Sequence, residues 1–340
     1  MIFLFLSCTY TDLYETVLHS LGDTVFLPNY SNVSIRSGEL EKEIVSYCES
    51  PETYPLDSVQ MAWRHAREPW KKMEFLNIGP FKEPNRLGYQ IDFWPVRVET
   101  LEEVLYGQET LSNDTILDFP AATKGFPAIE WLIFSEIDRS RPRFCQFLEA
   151  TAYDLHYHTT ELYNAWRPEE GNYLSHLTEA GEGKDYQTAK DAMTEIVNKL
   201  GHSIANIRAL KLVKPLGDAQ GIVQSELLES RYSQDSLRDI RSNLKGIANV
   251  YYGMESGLGV KNLIPVDKIH ITNDFELYLS ESLEAIDALD TRGSLEETML
   301  IDPSGVDYLS ARLEALQSFI QIDLLLALSF LSTFNDSDGD

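Results

Sequence analysis

The chain has 340 residues, and its 54 acidic against 28 basic side chains give a formal net charge of −26. This surplus of acid argues against nucleic acid as a partner and against a basic face docked on an anionic membrane, because both contacts need clustered Lys and Arg. Hydrophobic residues make up 43% and charged residues 24% of the chain. These are values typical of globular proteins, so we expect a folded chain with sizeable cores.

Residues 1–27 are predicted to form a truncated signal and lipid-attachment segment followed by a linker. The apolar run before Cys8 is too short to span a bilayer, and it lacks the charged start of a secretory signal. Its last residues nevertheless resemble the lipobox of bacterial lipoproteins, Phe5-Leu6-Ser7-Cys8. The sequence therefore predicts lipidation of Cys8, and the alternative is a frayed apolar N-terminus.

Helical periodicity dominates the next segment, which we assign to an N-terminal helical domain over residues 28–167. An ordered loop rich in Gly, Pro and aromatic residues is expected at 79–98. Pro127 lies inside one predicted helix and is compatible with it only in an early turn. The predicted helices start near residue 30 and run to 48, and then cover 56–78, 99–106, 121–134 and 141–166.

A stretch of Pro, Gly and acidic residues at 168–183 is the predicted linker to a C-terminal helical bundle over residues 184–334. Ile269-His270-Ile271 is the one short candidate for a strand. An acidic tail follows at 335–340. The predicted fold class is therefore all-α, with two helical-bundle domains. The helices expected in the second domain cover 185–212, 236–252, 273–289 and 306–330, the last of them a buried core helix near its end.

Several common motifs are absent from the sequence. It has no C-x-x-C, H-E-x-x-H, G-x-S-x-G or G-x-x-x-x-G-K-[ST] pattern, which argues against zinc-ribbon, zincin, α/β-hydrolase and P-loop proteins. Cys48 and Cys145 are interpreted either as two buried small hydrophobic residues or as one disulfide bridge. The acidic tail resembles half of a calcium loop, but a disordered terminus is the preferred interpretation.

Two sets of residues are candidate ligand sites. Asp154, His158 and Glu161 are spaced to share one helical face, where oxygen and imidazole ligands could hold iron or zinc. A solvated polar stripe is the alternative. Glu226 and Glu229 could share a ligand if their segment is helical, and they otherwise lie in a solvated turn.

An aromatic and basic run forms the third candidate. Trp63, Arg67 and Trp70 fall on one helical face. A buried Arg67 would need an acidic partner, for which Glu74 and Asp92 are the candidates. This pattern favours a polar network beneath a site over core packing alone.

These residues belong to a series of motifs that resembles the imelysin-like family, also grouped as peptidase family M75. The resemblance spans residues 28–334 in the correct order. It rests on the tryptophan and arginine run, on a G-x-x-x-x-E segment that precedes an apolar helix, and on a second-domain signature. These motifs are Trp63-x-x-Ala66-Arg67-x-x-Trp70 with Ile91-Asp92-x-Trp94-Pro95, Gly125-Phe126-Pro127-Ala128-Ile129-Glu130, and Glu229-Ser230-x-Tyr232-Ser233.

The resemblance implies an all-helical, extracytoplasmic protein that is often lipid-anchored and linked to iron acquisition, with some relatives described as metallopeptidases. Pro127 stands where the family motif G-x-H-x-x-E carries histidine. Proline offers no metal-binding nitrogen, so the expected function is binding without catalysis. The enzyme alternative is a metallopeptidase with non-standard ligands such as His158 with Asp154 or Glu161, and a third class is a surface scaffold.

The predicted ligand site lies in a cleft between the two domains. Carboxylates there would suit Fe³⁺ or another divalent or trivalent metal, whereas Arg67 would suit an anionic iron chelate. The expected partners are iron or its chelate, the membrane through a lipid on Cys8, and an outer-membrane uptake protein. The expected location is extracytoplasmic, facing the periplasm or on the cell surface. The residues assigned to the site are Glu130, Gly125, Pro127, Arg67, Glu74, Asp92 and Glu229.

Overall fold

The computed structural model describes residues 12–217, 222–254 and 256–333, and within these ranges it contains helices and no strand. The all-α prediction is confirmed. The predictions for Cys8 and for the tail 335–340 lie outside the described residues. The α-helices are α1 (Leu13–Leu21), α2 (Leu27–Glu49), α3 (Leu56–Met73), α4 (Leu87–Ile91), α5 (Val98–Tyr106), α6 (Gly125–Phe134), α7 (Pro142–Trp166), α8 (Leu174–Thr178), α9 (Ala189–Asn206), α10 (Lys214–Leu216), α11 (Ser236–Tyr252), α12 (His270–Asp290), α13 (Leu295–Ile301), α14 (Ser304–Ser318) and α15 (Leu325–Leu328).

The first helix begins at Leu13, well before the start predicted near Tyr30. Asp12 caps it by accepting a hydrogen bond from the Tyr14 amide. A π-helical turn at Gly22–Phe26 then joins α1 to α2. Pro28 directly follows this π turn inside the continuous helical segment, where the regular hydrogen-bond ladder is already interrupted.

Three further segments of the chain differ from the sequence-based expectation. The strand candidate Ile269-His270-Ile271 leads into α12, where isolated β-branched residues yield to the longer helical pattern. The linker 168–183 contains α8, whose Leu174 and Leu177 are buried. The unpredicted α13 begins with a reciprocal cap between Ser294 and Glu297, a spacing that was visible in the sequence.

The helices pack as two groups that contact each other. In the first group, α2 packs on α3 and α7, and α6 packs on α7 and α3. In the second group, α14 packs on α12 and α9. Helix α11 bridges the groups by packing on both α3 and α12, and α1 packs on α9. The division into domains at 28–167 and 184–334 stays a prediction.

Cys48 and Cys145 form a disulfide that joins the end of α2 to the start of α7, with 5.5 Å between their Cα atoms. The bridge, and not the pair of separate small hydrophobic residues, is therefore what the structure contains. No helix in the described ranges is long and apolar enough to cross a membrane. The expected core helix near 320–331 is a π turn followed by α15, with Ile320 and Leu324 buried but Ile322 and Leu326 exposed.

Candidate functional site

Helix α3 places a row of aromatic and charged side chains in the interior. Trp63, Arg67 and Trp70 recur at helical spacing, and all three are almost completely buried. The same face continues into Lys71, which is fully buried. The sequence therefore predicted the buried face correctly, but it did not single out the lysine on it.

The ammonium group of Lys71 lies between three carboxylates. Its Nζ is 2.9 Å from Glu74 Oε1, 2.8 Å from Asp92 Oδ2 and 2.5 Å from Glu229 Oε1. Oxygen atoms of these three carboxylates lie within 4.8 Å of one another, close enough to share a metal ion. Lys71 already supplies the positive charge at this position, so a bare cation would have to displace a buried ammonium.

Arg67 makes the second cationic centre of the same cluster. Its guanidinium is 2.8 Å from Asp239, 3.3 Å from Asp92 and 3.4 Å from Glu229. The guanidinium carbon also lies 5.2 Å from the Trp63 ring centroid, within the range of a cation–π contact. The partner expected at Asp92 is confirmed by these distances, whereas Glu74 pairs with lysines and not with Arg67.

Lys211 contributes a third cation from the second half of the chain. Its Nζ is 2.8 Å from a carboxylate oxygen of Glu74 and 2.8 Å from one of Glu229, and it donates to Asn243 Oδ1 at 2.9 Å. Asn243 in turn donates to the Lys71 carbonyl oxygen. We call this cluster the ion network; its members are Arg67, Lys71, Lys211, Glu74, Asp92, Glu229 and Asp239.

Burial and the neighbouring cations shift the pKa values of the carboxyl groups in the ion network in opposite directions. Burial alone would raise the pKa of Glu74, but Lys211 and Lys71 outweigh it and hold that pKa below its ordinary value. Burial likewise raises the pKa of Asp92, but Arg67 and Lys71 lower it by more, so the pKa lies below its ordinary value. At Asp239 burial prevails over the attraction of Arg67, so its pKa is raised. Two carboxylates are therefore firmly ionised, and one holds its proton more readily.

Glu130 lies beside the ion network on α6. It accepts hydrogen bonds from the Ser233 amide and hydroxyl, both at 2.8 Å. Burial raises its pKa to about 7, even though Arg67 and the Ser233 donors favour the ionised form. The carboxyl group can therefore gain or lose a proton near neutral pH, as a group in a functional site often does.

The start of α6 depends on Gly125. Its φ of +73° is left-handed, and a Cβ there would lie 2.4 Å from the Ile91 carbonyl oxygen. Only glycine allows both the turn and this close approach to α4. Pro127 occupies the first turn of α6, as expected, and is buried. The segment that resembles the family motif is therefore packed tightly against α4, close to Asp92.

The structure brings four of the predicted residues together in the ion network, Arg67, Glu74, Asp92 and Glu229, with Glu130 adjacent. It does not bring Asp154, His158 and Glu161 to them. Lys124 Nζ lies 2.9 Å from Asp154 Oδ1, and His158 Nδ1 lies 3.1 Å from the same oxygen. A metal at this second position stays a prediction, although a lysine already pairs with its buried carboxylate. Glu226 is exposed, whereas Glu229 is buried.

Sequence reasoning missed several members of the site, including Lys71, Lys211, Asp239 and Ser233. Lys71 had a usable signal, because it lies one position after Trp70 on a face already assigned to the interior. The others come from distant segments. Ser233 stands in the second-domain motif, although no role was assigned to it. Nothing local distinguishes Lys211 and Asp239 from surface residues, because their partners are supplied by tertiary packing.

A cavity of about 260 Å³ opens between residues 74–94 and 199–211. Glu74, Asp92 and Lys211 belong both to its wall and to the ion network, whereas Glu130 does not line it. Its remaining wall combines aromatic and basic side chains, among them Phe81, Tyr89, Trp94, Lys82, Lys199 and His202. Aromatic faces with convergent charged groups are typical of small-molecule sites.

Comparison with known proteins gives matches over most of the chain. The family model described as imelysin, Peptidase_M75, matches residues 26–320. Iron-regulated protein A of Synechococcus elongatus is 29% identical over 258 residues, which cover 74% of this chain and 69% of that protein.

Two crystal structures share the fold. An imelysin-like protein from Psychrobacter arcticum has a TM-score of 0.75 and 14% identity over 94% of this chain and 97% of its own. A candidate iron-regulated protein A precursor from Parabacteroides distasonis has a TM-score of 0.72 and 19% identity over 91% of this chain and 95% of its own. At these identities the two structures establish the fold alone.

Proposed function

The chain belongs to the imelysin family, as its motifs predicted, and on this premise we propose that it is an extracytoplasmic lipoprotein that binds an iron chelate without catalysis. The link to iron rests on the name of its relative, iron-regulated protein A. The ligand site we propose is the cavity between residues 74–94 and 199–211, in the cleft between the two helical domains predicted from the sequence.

The observation that carries this proposal is the position of Lys71. The three carboxylates with suitable spacing for a metal ion already surround its ammonium group. Glu74 and Asp92 also line the adjacent cavity, but lysines of the ion network already neutralise them. The rest of the wall includes Lys82, Lys199 and several aromatic rings. Such a wall favours an anionic ligand with carboxylate or catecholate groups over a bare Fe³⁺ ion, because ammonium groups pair with oxyanions and aromatic rings pack on planar organic groups.

The absence of catalysis is proposed from α6. Pro127 provides no imidazole at the motif position. Glu130 remains there, but its carboxyl group is held by two donors of Ser233 and does not line the cavity. A catalytic zinc needs three protein ligands and an open position, which these residues do not supply.

The extracytoplasmic location and the lipid anchor are proposed from two observations. The lipobox resemblance assigns the anchor to Cys8. The disulfide between Cys48 and Cys145 fits an oxidising compartment, since disulfides persist chiefly in secreted and periplasmic proteins. An uptake protein of the outer membrane is the partner expected for such a lipoprotein.

Calorimetric titration with ferric citrate tests the ligand class. We expect saturable binding of one equivalent, reduced about tenfold or more by Lys199→Gln, because a charged hydrogen bond contributes about 1.5–3 kcal/mol. Lys245→Gln is the control, since Lys245 is exposed and does not line the cavity. Equal affinities of both variants and the parent chain would contradict the proposed site.

A peptide-cleavage assay tests the absence of catalysis. We expect no cleavage that depends on a metal. Cleavage that a chelator abolishes, and that Glu130→Ala removes, would establish the metallopeptidase alternative and refute the proposed function. Mass spectrometry of the chain made in a bacterial host that processes lipoproteins reports directly whether Cys8 carries a lipid.

A further inference from the structure

An exposed apolar patch lies where the start of α12 meets α15. Val266 is 90% exposed, Leu326 is 72% exposed, and Ile269 and Ile322 are each 62% exposed. The two segments are held together because Lys268 Nζ donates to the Ala327 carbonyl oxygen at 3.2 Å. We call these four apolar residues the end patch. Four large apolar side chains exposed on two segments that this bond joins mark a surface that contacts something.

The described chain begins beside the end patch. The ring centroids of Tyr14 and Phe330 are 5.8 Å apart. Phe330 is itself tied to α15, because its amide donates to the Leu325 carbonyl oxygen at 2.9 Å. Leu13, which is half-exposed, adds apolar surface at the same end of the molecule. An attachment of the residues before Asp12 to any surface would therefore also bring the end patch close to that surface.

The distance from Cys8 to this end is limited by the chain. Cys8 precedes Asp12 by four residues, which can span at most about 14 Å when fully extended. A lipid on Cys8 would keep Asp12, which lies at the end of the molecule that carries the end patch, within this reach of the bilayer. This step rests on the lipid anchor of the proposed function.

The charges around the end patch favour apolar contact over attraction to anionic lipid. Lys268 and Lys190 flank it, the latter with Nζ 5.9 Å from the Phe330 ring centroid. Asp12, Asp267 and Asp323 are also exposed there. These charges nearly cancel, so binding to a membrane would depend on burial of apolar side chains, with the lysine amines reaching the head groups.

From these observations we propose that the end patch is a membrane-contacting surface, which rests in the interface of the bilayer to which the chain is anchored. The contact sets the orientation of the molecule. Helix α12 has 21 residues and is therefore about 31 Å long. Leu300 and Ile301, exposed on α13 beyond the far end of α12, would point away from the membrane.

Photo-crosslinking tests this orientation without depending on cellular lipidation. Cys48 and Cys145 are bonded to each other, so Cys8 of the full chain can be coupled to a maleimide phospholipid in phosphatidylcholine vesicles. p-Benzoylphenylalanine replaces either Leu326 or, as the matched control, Leu300. We expect at least about fivefold more lipid adduct from position 326, because only that side chain would lie at the acyl boundary.

Two outcomes would overturn the proposal. Equal lipid adducts from positions 326 and 300 would show that the end patch does not face the bilayer. Crosslinks from position 326 to a second copy of the chain would assign the end patch to a dimer interface. A missing native lipid on Cys8 would refute the anchor alone, because the crosslinking result is obtained with a chemical anchor. Charge substitution by Val266→Asp with Ile322→Asp, two other exposed residues of the end patch, should abolish the difference between the two crosslinking positions in the same vesicles.

Discussion

Lys71 supplies positive charge to three of the four carboxylates in the ion network. It is fully buried and contacts Glu74, Asp92 and Glu229. We predict that Lys71→Met lowers the free energy of unfolding by about 3–5 kcal/mol, because it leaves carboxylates close together without their cation. Urea unfolding followed by circular dichroism measures this loss.

The neighbouring lysine provides the control for this substitution. Lys72 pairs with Glu68 at 2.8 Å, but both side chains are partly exposed. Because a solvent-exposed pair contributes at most about 1 kcal/mol, we expect Lys72→Met to have little effect. Similar losses for the two variants would mean that the ion network does not stabilise the fold as argued.

Glu130 gives the stability of the protein a particular dependence on pH. Its pKa is raised from 4.5 to about 7 in the folded chain. Between these values the unfolded chain binds fewer protons than the folded one, so rising pH lowers the stability. A difference of this size corresponds to about 3 kcal/mol.

Glu130→Gln should remove this dependence, because the amide oxygen can still accept from Ser233 but carries no charge. We predict that the variant gains about 3 kcal/mol relative to the parent chain between about pH 4 and pH 8, measured by urea unfolding across that range. Glu103→Gln, at an exposed glutamate, controls for loss of charge alone. A stability difference that stays constant with pH for Glu130→Gln would refute the raised pKa.

At the scale of elements, the junction between α4 and α6 fixes where Glu130 lies. Gly125 has a φ of +73°, and a Cβ at this position would come within 2.4 Å of the Ile91 carbonyl oxygen. Gly183 has a similar φ of +80°, but a Cβ there would meet nothing within 4 Å. The two glycines therefore separate the cost of backbone strain from the cost of a steric clash.

We predict that Gly125→Ala destabilises the protein by roughly 2 kcal/mol more than Gly183→Ala. Both variants place alanine at positive φ, which costs about 1–2 kcal/mol, and only the first must also move α6 away from α4. Differential scanning calorimetry gives both losses. Equal losses would show that the two helices can separate without cost.

The helices also show which secondary structure local sequence patterns can predict. Periodicity predicted both ends of α11 and the start of α3, because each helix buries one face. It placed the end of α3 at residue 78 rather than at Met73. It failed at α1, where a π turn carries the helix through a segment assigned to a linker. Residues 269–271 were too few for their β-branched character to outweigh the helix that follows them.

The candidate site was predictable where a motif marked it, which includes Glu229 from the second-domain signature. Arg67 and Asp92 follow from aromatic spacing on α3 and from the motif after α4. Lys211 and Asp239 could not be found, because each enters the site through tertiary packing. Asp239 comes from α11, which packs on α3, and Lys211 comes from the π-helical segment after α9. Pairing across a fold depends on tertiary geometry, which a single sequence does not record.

At the scale of the whole molecule, the charge of −26 is carried almost entirely outside the ion network. The network holds three cations and four carboxylates, a formal balance of 3 − 4 = −1. The remaining acidic groups offer many weak positions for cations on the surface. Metal uptake by the purified chain would thus be uninformative unless it is stoichiometric and altered by substitutions in the cavity wall.

The disulfide lies within the first group of helices, where it links α2 to α7 across a sequence separation of 97 residues. We predict that Cys48→Ser with Cys145→Ser lowers the free energy of unfolding by about 2–5 kcal/mol, because the bridge restricts the unfolded chain. A reducing agent should lower the stability of the parent chain to that of the variant and leave the variant unchanged. If reduction leaves the parent chain equally stable, the bridge does not contribute to the fold.

The same variant separates stability from ligand binding. The cavity wall comes from residues 74–94 and 199–211 and includes neither cysteine, and the ion network joins its two sides without them. At temperatures where the variant remains folded, its affinity for ferric citrate should therefore match that of the parent chain. A weakened affinity under those conditions would mean that the cavity depends on how α2 and α7 support α3, and the site would then extend through the first group of helices.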